Sequence, residues 1–207
     1  MVNNFAQIRE YMTFNSPDEF YFLQILQRKK DGPGPDGVKI TGTNNKSRAI
    51  KSYCVTSKEY LDKIEFEVKH LCDFFNARAM MYVAKRSFKQ VALKNLVLAA
   101  ENIEKGNYEH SKTNYWSACG KCNAERIWLI DVDEEDVPYL QHIKDIICSE
   151  DMHSGFTPNE RIIMEVPTKH GFHLICRPFD TSHLLKLYPK PGREFVHKDN
   201  PTCVYIP

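Results

Sequence analysis

Asp131 and Asp133 close the apolar run Ile127-Trp128-Leu129-Ile130 and are followed by Glu134-Glu135-Asp136. Side chains of a strand alternate between its faces, so both aspartates project with Ile127 and Leu129, while Trp128, Ile130 and Val132 take the other face. Carboxylates that close repel unless a cation lies between them, and hard ions such as Mg2+ or Mn2+ prefer oxygen ligands. The same residues also suit an acidic first turn of a helix that follows a buried strand. A second polar group comes later in the chain. Pro167-Thr168-Lys169-His170-Gly171 reads as a turn, and His173 is the strongly polar member of the apolar segment that follows it. A histidine placed so is either hydrogen-bonded within a core or part of a site. Lys169 and His173 on one hairpin, with Gly171 allowing close backbone approach, suit phosphate oxygens.

The elements around these residues follow from periodicity. A helix is expected near residues 3 to 12, and Phe20-Tyr21-Phe22-Leu23-Gln24-Ile25-Leu26 favours a strand. Gly and Pro break the chain over residues 31 to 47. A strand over 50 to 55 leads to a helix capped by Thr56 and Glu59, with Leu61, Ile64, Val68, Leu71 and Phe75 on one face. Another strand over 77 to 83 precedes a helix capped by Ser87 and Gln90, whose inward stripe is Phe88, Ala92, Leu96, Ala99 and Ile103. Residues 106 to 125 read as a polar, turn-rich join. From 127 the order is strand (127 to 133), helix (137 to 148), strand (161 to 166), strand (172 to 177), helix (180 to 187) and strand (202 to 206). That is βαββαβ, the ferredoxin or RRM-like order. The expected class is therefore α+β: an N-terminal α/β unit (1–115) packed on a C-terminal βαββαβ unit (116–207). In that sheet the first strand runs antiparallel to the third and fourth, which brings His173 and Asp199 toward the end that carries the aspartates.

Composition limits the classes. The 207 residues suffice for a substantial core, and a net charge of +1 leaves nucleic-acid binding to local patches. The basic stretch from Arg28 through Lys39, Lys46 and Arg48 is one such patch, with a solvated loop as the plainer reading. Arg48, Arg78, Lys85 and Arg86 are candidate DNA-binding residues. Seven cysteines without a secretory leader suggest reduced thiols and a soluble cytoplasmic protein. No apolar run approaches the ~20 residues of a membrane span. Cys119-Gly120-Lys121-Cys122 is a single CxxC, a weak zinc signal without a second tight pair; His110, Cys148 and His153 are the nearest further ligands. Ordinary loop cysteines are the simpler reading.

Ile130-Asp131-Val132-Asp133 followed by Lys169-His170-Gly171-Phe172-His173 resembles the first two motifs of archaeo-eukaryotic primases and primase-polymerases. Those motifs are a metal-binding carboxylate pair and a hairpin with a Ser-x-His pattern. His197-Lys198-Asp199 is the best match to the family's third, acidic motif, and the resemblance covers mainly residues 127 to 207. It implies that Asp131, Asp133 and Asp199 are catalytic and bind Mg2+ or Mn2+, and that Lys169 and His173 hold a nucleoside triphosphate. It also implies a single-stranded DNA template, an N-terminal unit that binds it, and a replicative helicase as partner. Gly171 stands where the family has Ser, and the third motif is short. Two other classes share this strand order. A replication-initiator nuclease needs two histidines separated by one residue, whereas two residues separate His170 from His173. An RNA-binding module needs aromatics on the exposed faces of its first and third strands, whereas the first strand here presents aspartates.

Overall fold

The computed structural model describes residues 1–38, 47–123, 125–149, 157–189 and 194–207. Lys39, Lys46 and His153 lie outside these, as does the side chain of His110.

The aromatic run of the N-terminal half is strand β2 (Glu19–Arg28). Its Tyr21, Leu23 and Ile25 enter a core shared with α1 (Phe5–Tyr11) and α2 (Lys58–Phe75). Phe20 and Phe22 point the opposite way, into a core shared with α3 (Phe88–Glu104) and α4 (Ser111–Lys121). A strand covered on both faces loses the polar alternation of a half-exposed one, hence the unbroken apolar sequence. β2 pairs antiparallel with β3 (Ser47–Val55) and β4 (Arg78–Tyr82), and briefly with β5 (Arg86–Ser87).

Helix α2 begins one residue later than the sequence suggests. Ser57, not Thr56, is its N-cap, and its hydroxyl accepts the Tyr60 N–H at 3.0 Å. Asn76 ends the helix at φ 47°, a left-handed position that Asn tolerates better than most residues. Ser87 caps α3 as expected, accepting the Gln90 N–H at 3.2 Å. The buried face of α3, however, is not the expected stripe. Val91 is buried, whereas Leu96 and Ile103 are 66% and 61% exposed. The cause is α4, which occupies the stretch read as a join. It packs along α3, and Asn102 donates to Asn114 at 2.8 Å across the contact.

The second sheet contains β6 (Trp128–Asp133), β7 (Ile162–Pro167), β8 (Gly171–Cys176) and the two-residue β9 (Val196–His197). Its order is β7-β8-β6-β9, with every pairing antiparallel. Ile130, Val132 and Leu174 cover one face together with α5 (Leu140–Ser149) and α7 (Ser182–Leu187). The expected segregation of Trp128, Ile130 and Val132 onto that face is observed. The final strand requires a correction. Residues Pro201–Ile206 form β10, but it pairs with β4 and with β1 (Val2–Asn3) in the first sheet, and β9 takes the place beside β6. The 116–207 segment thus supplies a strand to the other unit. The molecule is mixed α+β with two antiparallel sheets.

The sheets meet through the second face of β6 and β8. Ile127, Val166 and Ile175 pack there against Val83 and Ala84. Buried Asn4 ties both sides together, donating to the carbonyls of Pro167 (2.9 Å) and Cys203 (3.0 Å).

Candidate active site

Pairing of β6 with β8 sets Asp131 opposite His173 and Asp133 opposite Gly171. The His173 Nε2 lies 3.5 Å from Asp131 Oδ1, and its Nδ1 lies 3.0 Å from the Thr202 hydroxyl on β10. The imidazole is therefore held between the two sheets. Its side chain is 12% exposed while that of Asp131 is 42% exposed, so the carboxylate faces the open side. The Thr202 hydroxyl can donate or accept, which leaves Nε2 able to donate to Asp131 or to present a lone pair toward a cation. Thr202, which contacts His173, is not marked in the sequence: it lies on a strand whose sheet is not readable from local pattern.

Gly171 opens β8 at φ +150°, and a Cβ there would lie 2.0 Å from the Val132 carbonyl oxygen. The turn thus approaches β6 too closely for any side chain. The serine of the resembled family does not fit at this position.

After Asp133 the chain enters a 3-10 turn, Glu134–Tyr139. The turn brings Asp133, Glu135 and Asp136 together, with one oxygen from each within 4.8 Å of the others. Among the described residues this is the group of three or more His, Cys, Asp or Glu side chains spaced to hold an ion. It is not the expected set of Asp131, Asp133 and Asp199.

Asp199 lies elsewhere for a reason of direction. β9 runs antiparallel to β6 with Val196 opposite Ile130 and His197 opposite Leu129. Continuing past His197 leads toward the start of β6, away from Asp133. Asp199 there accepts from Arg86 Nη2 at 2.8 and 3.0 Å. Arg86 is completely buried and also donates to the carbonyls of Cys119 (2.9 Å) and Ala84 (3.1 Å).

The candidate DNA-binding residues are corrected accordingly. Arg86 is unavailable to a ligand outside, and Lys85 is buried against Glu19 at 3.2 Å. Arg48 pairs with Asp36 at 2.6 Å and sits over the Phe75 ring. Arg78 forks onto Asp31, its Nε donating at 2.7 Å. Cys119 is buried in the core beside Phe20 and Phe22, and Cys122 sits against the Gln90 carbonyl at 3.8 Å. Among the described residues neither belongs to a group of ligand spacing. The Cys119 and Cys54 thiols interact, and that contact holds the Cys54 thiol below its ordinary range.

Lys169 sits in the β7–β8 turn and shares a cavity of about 190 Å3 with Lys30, Asn76 and Arg78. The Lys30 ammonium is held below its ordinary value first by Arg28, then by partial burial and Arg78; Asp31 and Asp131 oppose the shift. A larger cleft, about 680 Å3, lies by the start of β6 and is lined by Glu10, Glu125 and Glu165 with Arg177. That carboxylate-rich wall suits an anionic ligand poorly.

No protein-family model, no curated protein and no solved structure matches this chain.

Proposed function

We propose that the protein is a template-dependent nucleotidyltransferase of the primase-polymerase type, joining nucleotides on single-stranded DNA. The observation that carries this reading is the Asp131–His173 juxtaposition at the sheet end where Asp133 and Lys169 also lie. We read the β7-β8-β6-β9 sheet, with α5 and α7 on one face, as the ferredoxin-like order in which the fourth strand is the short β9.

The donors suit Mg2+ or Mn2+, since Asp131, Asp133, Glu135 and Asp136 offer hard oxygen atoms. An ion held there would offset negative charge on the phosphates and ease loss of the proton from the attacking hydroxyl. In the reaction the 3′ hydroxyl gives up its proton to water, its oxygen bonds to the α-phosphorus, and the bond from that phosphorus to the α,β-bridging oxygen breaks so that pyrophosphate leaves. His173 and Lys169 hold phosphate oxygens, and Thr202 orients the imidazole. Asp199 acts through Arg86 as a structural partner. Arg28 and Lys29 are exposed basic residues that suit the template backbone. The nuclease alternative is disfavoured because the two histidines face different partners: His170 is 3.5 Å from Glu134, while His173 faces Asp131.

The test is primer synthesis and extension on single-stranded DNA with Mn2+ or Mg2+. Asp131→Ala combined with Asp133→Ala is expected to lower the rate at least ~100-fold. Equal rates in variant and wild type would overturn the assignment. His173→Ala is expected to raise the nucleotide KM about 10-fold, the loss of one charge-assisted contact.

A further inference from the structure

We propose that Lys30 and Arg78 of the first unit join Lys169 of the second in a polyphosphate pocket that takes the triphosphate tail of the incoming nucleotide. The ligand's identity rests on the nucleotidyltransferase reading; the anion site itself rests on the geometry below.

Three cationic side chains from separate parts of the chain line one cavity. Lys30 lies in the 3-10 turn Lys29–Asp31 that follows β2, Arg78 begins β4, and Lys169 lies in the β7–β8 turn. Asn76, which ends α2, lines the cavity together with Asp31, Ala77, Ile206 and Pro207, and its amide donates to the Asp31 carbonyl at 2.5 Å. Arg78 is already neutralised by Asp31, both side chains being 13% exposed. The two ammonium groups are not neutralised: among the described residues neither Lys30 nor Lys169 has an ion-pair partner. Like charges that converge this way raise the energy of the free protein and lower it once an anion enters. The Lys30 ammonium is depressed first by Arg28, which lies outside the cavity, and then by partial burial and by Arg78 within it, with Asp31 and Asp131 opposing.

Size selects the part of the ligand. At about 190 Å3 the pocket is smaller than the ~300 Å3 at which sites begin to enclose a drug-sized molecule. It has room for phosphate groups and not for the base and sugar as well. Lys169 lies two residues before Gly171 and Asp133 lies opposite that glycine, so the pocket and the Asp131–His173 pair flank the same turn.

The experiment measures binding of inorganic tripolyphosphate to the full chain by calorimetry in the presence of EDTA, which removes metal as a bridging route. Wild type is expected to bind, with affinity falling as salt rises. Lys30→Ala and Lys169→Ala are each expected to weaken it about 10-fold or more, and the pair to abolish it. Lys30→Arg is expected to retain binding, and Lys63→Ala on exposed α2 to leave it unchanged. Both pocket lysines are exposed, so these variants fold. No binding by wild type, or full affinity in Lys30→Ala, overturns the pocket. Primer extension by the same proteins separates the two readings. Lysine-dependent binding without extension in any protein supports the pocket and overturns the polymerase. Extension with an unchanged nucleotide KM in Lys30→Ala overturns the pocket and leaves the polymerase standing.

Discussion

Asp199 shows how one side chain's role depends on what its neighbour would lose without it. Arg86 has no exposed surface, it sits over the Tyr82 ring, and two of its three side-chain hydrogen-bond partners are neutral carbonyls; Asp199 supplies the opposing charge. An isolated buried cation is far costlier than a paired one, and removing one partner of such a pair typically costs ~3–5 kcal/mol. The Asp199 side chain is 23% exposed, which places the expected cost at the lower end of that range. Asp199→Ala should therefore lower unfolding free energy in denaturant titrations by about 3 kcal/mol, equally with and without Mg2+. Wild-type stability combined with lost nucleotide transfer would instead return Asp199 to the metal ligands. From sequence, Asp199 and Arg86 read as a ligand and a DNA contact. Neither local pattern reveals that residues so far apart in the chain neutralise each other.

At the scale of elements, the pairing of β6 with β8 decides the site, and Gly171 decides the pairing. A one-residue slip would turn His173 away from Asp131 and onto the opposite face. Gly171 guards against this because its φ is +150° and a Cβ there would lie 2.0 Å from Val132 O, so the position admits no side chain. Gly171→Ser is expected to cost at least ~2 kcal/mol, seen as a lowered thermal midpoint, because the turn must open before a Cβ fits. An unchanged midpoint would show that the turn relaxes freely. Much at this scale was legible. The alternation along β6 separated Asp131 and Asp133 from Ile130 and Val132, and antiparallel geometry put His173 beside the aspartates. The missed parts have physical causes. α4 is polar along most of its length, so no apolar stripe marks it. β9 is two residues long, below what periodicity can register. β10 is buried from Thr202 to Ile206, and an apolar run of that kind fits the interior of either sheet. Helix α3 misled because its exposed Leu96 and Ile103 share spacing with a buried face.

For the whole molecule, the return of β10 to the first sheet makes the two units mutually dependent. β4 pairs with β2 on one side and β10 on the other, so a chain ending at residue 115 leaves one edge of β4 bare. It also truncates α4, uncovering Phe20 and Phe22. An unpaired apolar edge and an uncovered core face both favour association over folding. The complementary piece, 116–207, retains β6 to β9 but carries β10 and its buried residues with no sheet to join. Expressed separately, 1–115 and 116–207 are each expected to lack a cooperative thermal transition in circular dichroism. Expressed together they should recover one, since β10 then pairs with β4 and Thr202 again meets His173. A sharp transition for 116–207 alone would show that the second sheet is an independent domain and that the Thr202 contact is incidental to it. A single shared transition would place the candidate site where unfolding of either sheet dismantles it. A ligand seated there, between Lys30 of one sheet and Lys169 of the other, would then raise the stability of both together.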